Sequence, residues 1–557
     1  MTNAILDSTL HDLLEADFAS SPTAASGYGL TEYDDRLDDL SADAFRRREA
    51  DAGTYLGRLE RIGEIAPDGQ PLTIDDVIDR DLASAVLRGR LILAPFEAWK
   101  RDPVEYSGPV TGGLFTLFLH RLRPEADLVD AAIARLGQVE RAVDAGIANL
   151  DPDLAHPLIV ERGTNAARGA TRYVRDLVWR DVEDPRRQER LRAAAEAAAT
   201  HLDRWVAHLE AFLARAHGSW QLGEDGYSRI LQEREVLGDD ARALRARGQA
   251  EFDRLDAEMT ALARDAAGNP DYVEVLHADD QRHPPTEQAM LETYTEWTAR
   301  ARAFLAESGL VTLPPGESCD VVPSPVFRRP ILGVASYIAP PAFSDRWKGH
   351  FFVPFAPDGA SEAEIQARLS NNSYGSIPTT SVHEAYPGHH WHLVMRKGNP
   401  SDVRKVYSTP YFSEGWALYA ERVMRERGFF EDPVQELHHL NASLFRAARI
   451  IVDTSLHLGE MTFDEAVTYM MDTAAMPEPV AKAEVGRYCS WPTQASSYLT
   501  GCLEILAIRD RYLARRGFAT VAPRDVPVEV LREFHDAITS SGALPLGLAE
   551  RAVSATG

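Results

Sequence analysis

The chain has 557 residues, 45% of them hydrophobic, and sets 59 Lys plus Arg against 85 Asp plus Glu for a net charge of −26. That length allows a large buried core and, on size alone, about three to four domains. The negative excess disfavours nucleic acid and acidic membrane surfaces as partners. The three cysteines, Cys319, Cys489 and Cys502, make neither a disulfide framework nor a CxxC pair, which points to a reducing compartment. No stretch approaches the ~20 apolar residues of a membrane span. The acidic first residues lack the basic segment and apolar run of a signal peptide, so the expected location is the cytoplasm.

In chain order, residues 1–160 alternate helical stretches with short breaks. Leu37–Arg61 and Leu72–Leu93 carry apolar residues at helical spacing, separated by a turn at Pro67-Asp68-Gly69. Pro109 to Gly113 reads as a loop. Asp127–Leu150 and Thr171–Ala216 read as long helices, the second interrupted near Asp184-Pro185. Leu231–Ala266 and Ala289–Ser308 continue the style without sustained heptads, so a packed helical body is expected rather than a coiled coil. This defines a helical N-terminal region, 1–310, and a second region, 311–557, expected to form one continuous unit.

Val311 to Pro357 holds nine prolines and two β-like runs, Ile331–Ile338 and His350–Phe355. They predict a short antiparallel hairpin or small sheet within 325–357. Ser361 and Glu364 form a capping box for a short helix. After a loop, a helix is predicted over 379–395, with Thr379 as its cap. Beyond Glu414 the chain reads as helical: Val434–His457, Phe463–Met471 behind a Thr462–Glu465 capping box, Glu484–Ala507, and two short helices within Val526–Val553. The fold class is mainly α with a small β element beside the 379–395 helix.

That helix carries the chemistry. Thr379–Met395 contains His383, His389, His390 and His392 with Glu384. A His-Glu pair with a second histidine on the same helix is how zinc hydrolases place two imidazoles on the metal and a glutamate beside its water. The usual second position, i+4, is Pro387. On an unbroken helix His389, at i+6, would lie about 9 Å along and about 240° round. Pro387-Gly388 breaks the helix, and a bulge there can swing His389 into place, with His390 the reserve. Glu414 and Glu421, seven apart, share a face of a following helix, and either can be the third ligand.

The pattern His383-Glu384-x-x-Pro387-Gly388-His389, followed by Ser413-Glu414-Gly415-Trp416-Ala417, resembles the domain of unknown function 885 family, grouped with the gluzincin metallopeptidases. Ser-Glu-Gly-Trp is also similar to the Asn-Glu-Gly-Phe of aminopeptidase N relatives, whose glutamate binds zinc. The resemblance runs from about Arg329 to Leu506. It implies zinc on His383, His389 and Glu414, Glu384 as general base, and a helical body around a deep cleft that favours short peptides. Asp453-x-x-x-His457 and Arg487-Tyr488 before Pro492-Thr493-Gln494-Ala495-x-x-Tyr498 resemble stretches of the same family, which usually has Gly where Thr493 stands.

From the chemistry of their side chains, Tyr498, Tyr488 or His457 can donate to a developing oxyanion. Arg487 can hold a substrate carboxylate. Asp453 can pair with His457 or orient a ligand. The expected function is a zinc metallopeptidase for short peptides. A metal-dependent amide or ester hydrolase and an inactive binding protein are the alternatives.

Overall fold

The structure is a computed structural model and describes residues 3–66, 69–329, 333–474 and 476–555. The expected turn residues Pro67 and Asp68, and Ile331 at the head of the first β-like run, lie outside these. The fold is mainly α with one small sheet, as the sequence predicts. The chain divides into two compact units, 1–221 with 341–346, and 222–340 with 347–557. The change in sequence texture, by contrast, falls after Gly309.

The first unit is helical. Asn3 caps its opening helix, Ala4–Ser20, by accepting from the amides of Ile5 and Leu6. Leu6, Leu10, Leu13 and Leu14 recur every three to four residues and are buried on one face. The long helix Pro185–Leu213 lays Leu202, Trp205, Leu209 and Phe212 into the same core. The segment 109–113 is not a loop: it lies inside the helix Val104–His120, with Pro109 in its interior. Tertiary packing overrides the local signal, because Gly113 lies against Thr23 and Arg135, where a side chain would not fit.

The second unit holds all the chemistry predicted from sequence. Leu231–Ala266 is shorter than expected: the regular helix is Ala241–Ala267, capped by Asp240. It packs along Pro433–His457. The sheet has three strands in the order β1 (Ser318–Pro323), β3 (Lys348–Val353), β2 (Ser336–Ile338). β2 and β3 make the expected antiparallel pair, and β1 adds in parallel on the other side of β3. β1 has only two strongly β-forming residues, Val321 and Val322, so its sequence does not announce it.

Two helical stretches of the sequence are each a pair of helices, the first parted at the expected Pro387-Gly388 break and the second where one continuous helix is predicted. The 379–395 helix is a pair, Ile377–Glu384 and His389–Lys397. Its start is set by Pro378 in the first turn rather than by Thr379, whose hydroxyl is buried without a partner. Likewise Glu484–Ala507 is two helices, Glu478–Ser490 and Ser497–Arg515, parted at Pro492. Between them Thr493 takes a φ of +70°, the left-handed region that suits glycine.

Candidate metal centre

The His383 helix ends at Glu384, and the chain turns through Ala385, Tyr386, cis-Pro387 and Gly388 before the next helix begins at His389. Gly388 donates its amide to the Val382 carbonyl at 3.1 Å. A Cβ here would collide with the carbonyl oxygens of Val382 and His383, so the tight turn requires glycine. The turn brings the His383 and His389 rings to 4.8 Å between centroids, nearly perpendicular at 87°.

Glu414 arrives from the helix Pro410–Glu426. Its Oε2 lies 3.3 Å from His389 Nε2 and 3.7 Å from His383 Nε2. One ligand atom from each of the three residues falls within 4.8 Å of the others. Among the described residues this is the one such group of three or more His, Cys, Asp or Glu side chains. The depth of Glu414 is set by a close helix crossing. Pro410–Glu426 runs against Ser497–Arg515, with Gly415 facing Gly501, and a Cβ on Gly501 would strike the Tyr411 carbonyl oxygen.

Glu421, on the same face as Glu414, does a different job. It is fully buried and its Oε1 accepts from His383 Nδ1 at 2.7 Å, while its Oε2 pairs with His439 Nδ1 at 3.2 Å. In the neutral ring the proton is thereby held on Nδ1, which leaves Nε2, on the side of Glu414, as the atom able to bind a cation. His390, the reserve ligand, is engaged elsewhere. Its Nε2 donates to Glu317 at 2.7 Å and its Nδ1 accepts from Tyr337 of β2 at 2.8 Å.

Electrostatics follow the geometry. Burial disfavours a charged His383 ring, but Glu414 and Glu421 outweigh it and push its pKa up to about 9. Burial likewise opposes ionisation of Glu414, yet the two imidazoles win and hold the carboxyl well below its usual range. The pull of three carboxylates on two imidazoles is a pull on any cation. Glu384 is 7% exposed, and no residue described here hydrogen-bonds its carboxylate. Burial raises its pKa, with His383 and His389 only partly offsetting.

The remaining candidates separate. Tyr498 stays near the centre: its hydroxyl accepts from Gln494 at 3.3 Å, and burial followed by the charge of Glu414 raises its pKa. Arg487 and Tyr488 are turned onto Glu484, at 3.0 and 2.7 Å. His457 is fully buried in another network, donating from Nε2 to the Tyr488 carbonyl at 3.0 Å. Asp453, 3.7 Å from His457, accepts from Tyr227 at 2.6 Å. His439 and Arg446 escape the sequence reading. Their spacing of seven on one helix, continued to Asp453, was the available signal.

A family model described as a bacterial protein of unknown function, DUF885, matches residues 22–553. The chain belongs to this family. Two solved structures share the fold of this DUF885 member. One is a candidate lipoprotein from Colwellia psychrerythraea, 20% identical, covering 99% of this chain and 98% of that one with a TM-score of 0.82. The other is a candidate lipoprotein of unknown function from Shewanella oneidensis, 20% identical, covering 98% of each chain with a TM-score of 0.76. No curated protein sequence matches the chain. Among the described residues, no helix is long and apolar enough to cross a membrane.

Proposed function

We propose that this DUF885 member is a zinc-dependent hydrolase of short peptides, with His383 Nε2, His389 Nε2 and a Glu414 oxygen as the metal-holding atoms. The carrying observation is the convergence of those atoms, beside a Glu384 carboxylate with no hydrogen-bond partner among the described residues. The donor set fits. Two imidazoles and one carboxylate are a catalytic zinc set, and ligands of a tetrahedral zinc lie about 3.3 Å apart. The separations of 3.3 and 3.7 Å to Glu414 match that spacing. Bound there, zinc supplies a Lewis acid for a carbonyl oxygen and lowers the pKa of a water.

The chain's own residues supply the rest. Glu384 takes a proton from the attacking water and returns it to the leaving amine. Glu421 keeps the His383 ring in the tautomer that frees Nε2. Tyr498, whose hydroxyl feels the charge of Glu414, would donate to the developing oxyanion. Short, flexible peptides are the substrate class. The three cysteines are free, two of them buried, in keeping with a cytoplasmic location. Cell fractionation tests that location against the lipoprotein descriptions of the two structural neighbours.

Elemental analysis of protein purified without added metal tests the site. About one zinc per chain is expected, lost in His383→Ala. Glu384→Gln is expected to keep the zinc and cleave a peptide panel at least about 100-fold more slowly. Absence of zinc, with turnover indifferent to Glu384→Gln, would return the chain to the class of binding proteins. Turnover of acyl esters but not of peptides would assign the same centre to another substrate.

A further inference from the structure

Three guanidiniums crowd the helices next to Glu414, and they are not alike. Arg449 donates from Nη2 to Glu484 at 2.9 Å and from Nε to Tyr488 at 3.2 Å. Arg487 donates to Glu484 at 3.0 Å and also to Gln494. Both are therefore spent on one carboxylate and its neighbours. Arg446 is different. Its Nη1 donates to the carbonyl of Ala442, one turn back on its own helix, at 2.9 Å. Its Nε is buried with no partner, and its Nη2 has neither a hydrogen bond nor an ion pair among the described residues.

Arg446 is also well placed. Its charge is felt by Glu384, and it in turn feels Glu421, Glu414 and Tyr498. None of those carboxylates comes within ion-pair distance of it. The Tyr498 ring lies 5.8 Å from the Arg446 guanidinium and 4.8 Å from that of Arg449. Arg446 is half-buried, with its Nε shut off from water and no counter-ion in reach among the described residues, so its charge is left unmatched by the fold. Such a group beside a catalytic site marks a place where a ligand brings the missing charge.

We propose that Arg446, flanked by Tyr498, is the anchor for a carboxylate on the substrate, so that this site selects peptides with a negative group close to the cleaved bond. The inference rests on the hydrolase reading for its substrate class, and it deepens that reading. The planar fork of Arg446 offers a carboxylate two parallel donors. The carboxylate comes from a free C-terminus or from an acidic side chain.

The test uses three tetrapeptides: Ala-Ala-Ala-Ala as free acid, its C-terminal amide, and Ala-Ala-Ala-Glu amide. Wild type is expected to favour a carboxylate-bearing peptide over the plain amide by about 10- to 100-fold in kcat/KM. Preference for the free acid names the C-terminus as the source. Preference for the Glu amide names the side chain. Arg446→Met is expected to bring the ratio close to one, and Arg446→Lys, which keeps charge without the fork, to give an intermediate ratio. If Arg446→Met does not fold, the lysine variant alone decides.

Equal cleavage of all three peptides by wild type overturns the proposal. So does an equal fall for acid and amide in the variants, which would make Arg446 an aid to the reaction rather than an anchor. Calorimetric binding of the same peptides to Glu384→Gln protein separates the two readings. Selective binding of carboxylate peptides that Arg446→Met abolishes, when the wild type cleaves none of them, keeps the anchor and refutes the hydrolase. Binding without selectivity refutes the anchor.

Discussion

His389 and His390 are neighbours in sequence and meet opposite fates. His390 enters a closed cluster. Glu317 takes a hydrogen bond from it at 2.7 Å, from Tyr386 at 2.5 Å and from Arg302 at 2.8 Å, and Tyr337 serves the other ring nitrogen. His389 enters an open one, where it and His383 lie 3.3 and 3.7 Å from Glu414 and Glu384 has no hydrogen-bond partner among the described residues. Residue types are similar in both. A closed cluster spends every polar atom on another at hydrogen-bond length and so holds the fold. An open one keeps its atoms at coordination spacing, with capacity left for a guest.

Exchanging the roles of the two histidines is the strongest way to break this contrast. His389→Ala is expected to lose stoichiometric zinc with little change in melting temperature of the metal-free protein. His390→Ala is expected to keep zinc, yet to lose about 1–3 kcal/mol of stability, because Glu317 and Tyr337 each lose a buried hydrogen bond while Arg302 and Tyr386 still hold Glu317. Elemental analysis and urea unfolding read the two effects, and the opposite pattern would invert the assignment. Glu421→Gln acts between the regions: it keeps the fold while weakening zinc affinity by about 10- to 100-fold, measured by competition with a chelator.

Acid sharpens the contrast further, through a third histidine. His535 is closed like His390: Nδ1 donates to Leu310 at 2.9 Å and Nε2 accepts from Tyr419 at 2.9 Å. Burial pushes its pKa down to about 3. Above about pH 6.5 neither the folded nor the unfolded chain protonates it, and stability is unaffected. Between about 6.5 and 3 the unfolded chain takes up a proton that the folded one refuses, so stability falls with pH, by about 2 kcal/mol at pH 5. Urea unfolding at pH 7.5 and 5 should show that loss, and His535→Gln should lessen it by the same amount. The smallest expected effect is at Thr493, where glycine relieves the positive φ. Thr493→Gly is expected to raise stability by about 1 kcal/mol or less in thermal unfolding, since the added freedom of the unfolded chain offsets part of the gain.

Much of this was legible in the sequence. Helical periodicity identified the mainly α fold, and the Pro387-Gly388 break correctly implied that His389 does not sit where an unbroken helix would carry it. The division of labour between Glu414 and Glu421 was not legible, because both share a helix face and only the positions of His383 and His439 tell them apart. Arg487 and Arg446 illustrate the same limit. Sequence shows a guanidinium near aromatic residues, but Glu484, which occupies Arg487 and leaves Arg446 aside, is identified only by packing. β1 was missed because its partner strand lies thirty positions away in the register Ser318 to Lys348.

The two helices that carry His383 and His389 have 8 and 9 residues. Isolated helices below about 12–15 residues are marginal in water. Neither half can therefore present its imidazole on its own, and an excised peptide spanning 377–397 should bind zinc no better than an arbitrary histidine-rich coil. Affinity for the ion is thus a property of the assembled unit. Occupancy would report whether the second unit is folded, and chelation would lower its melting temperature in proportion to how tightly the ion was held.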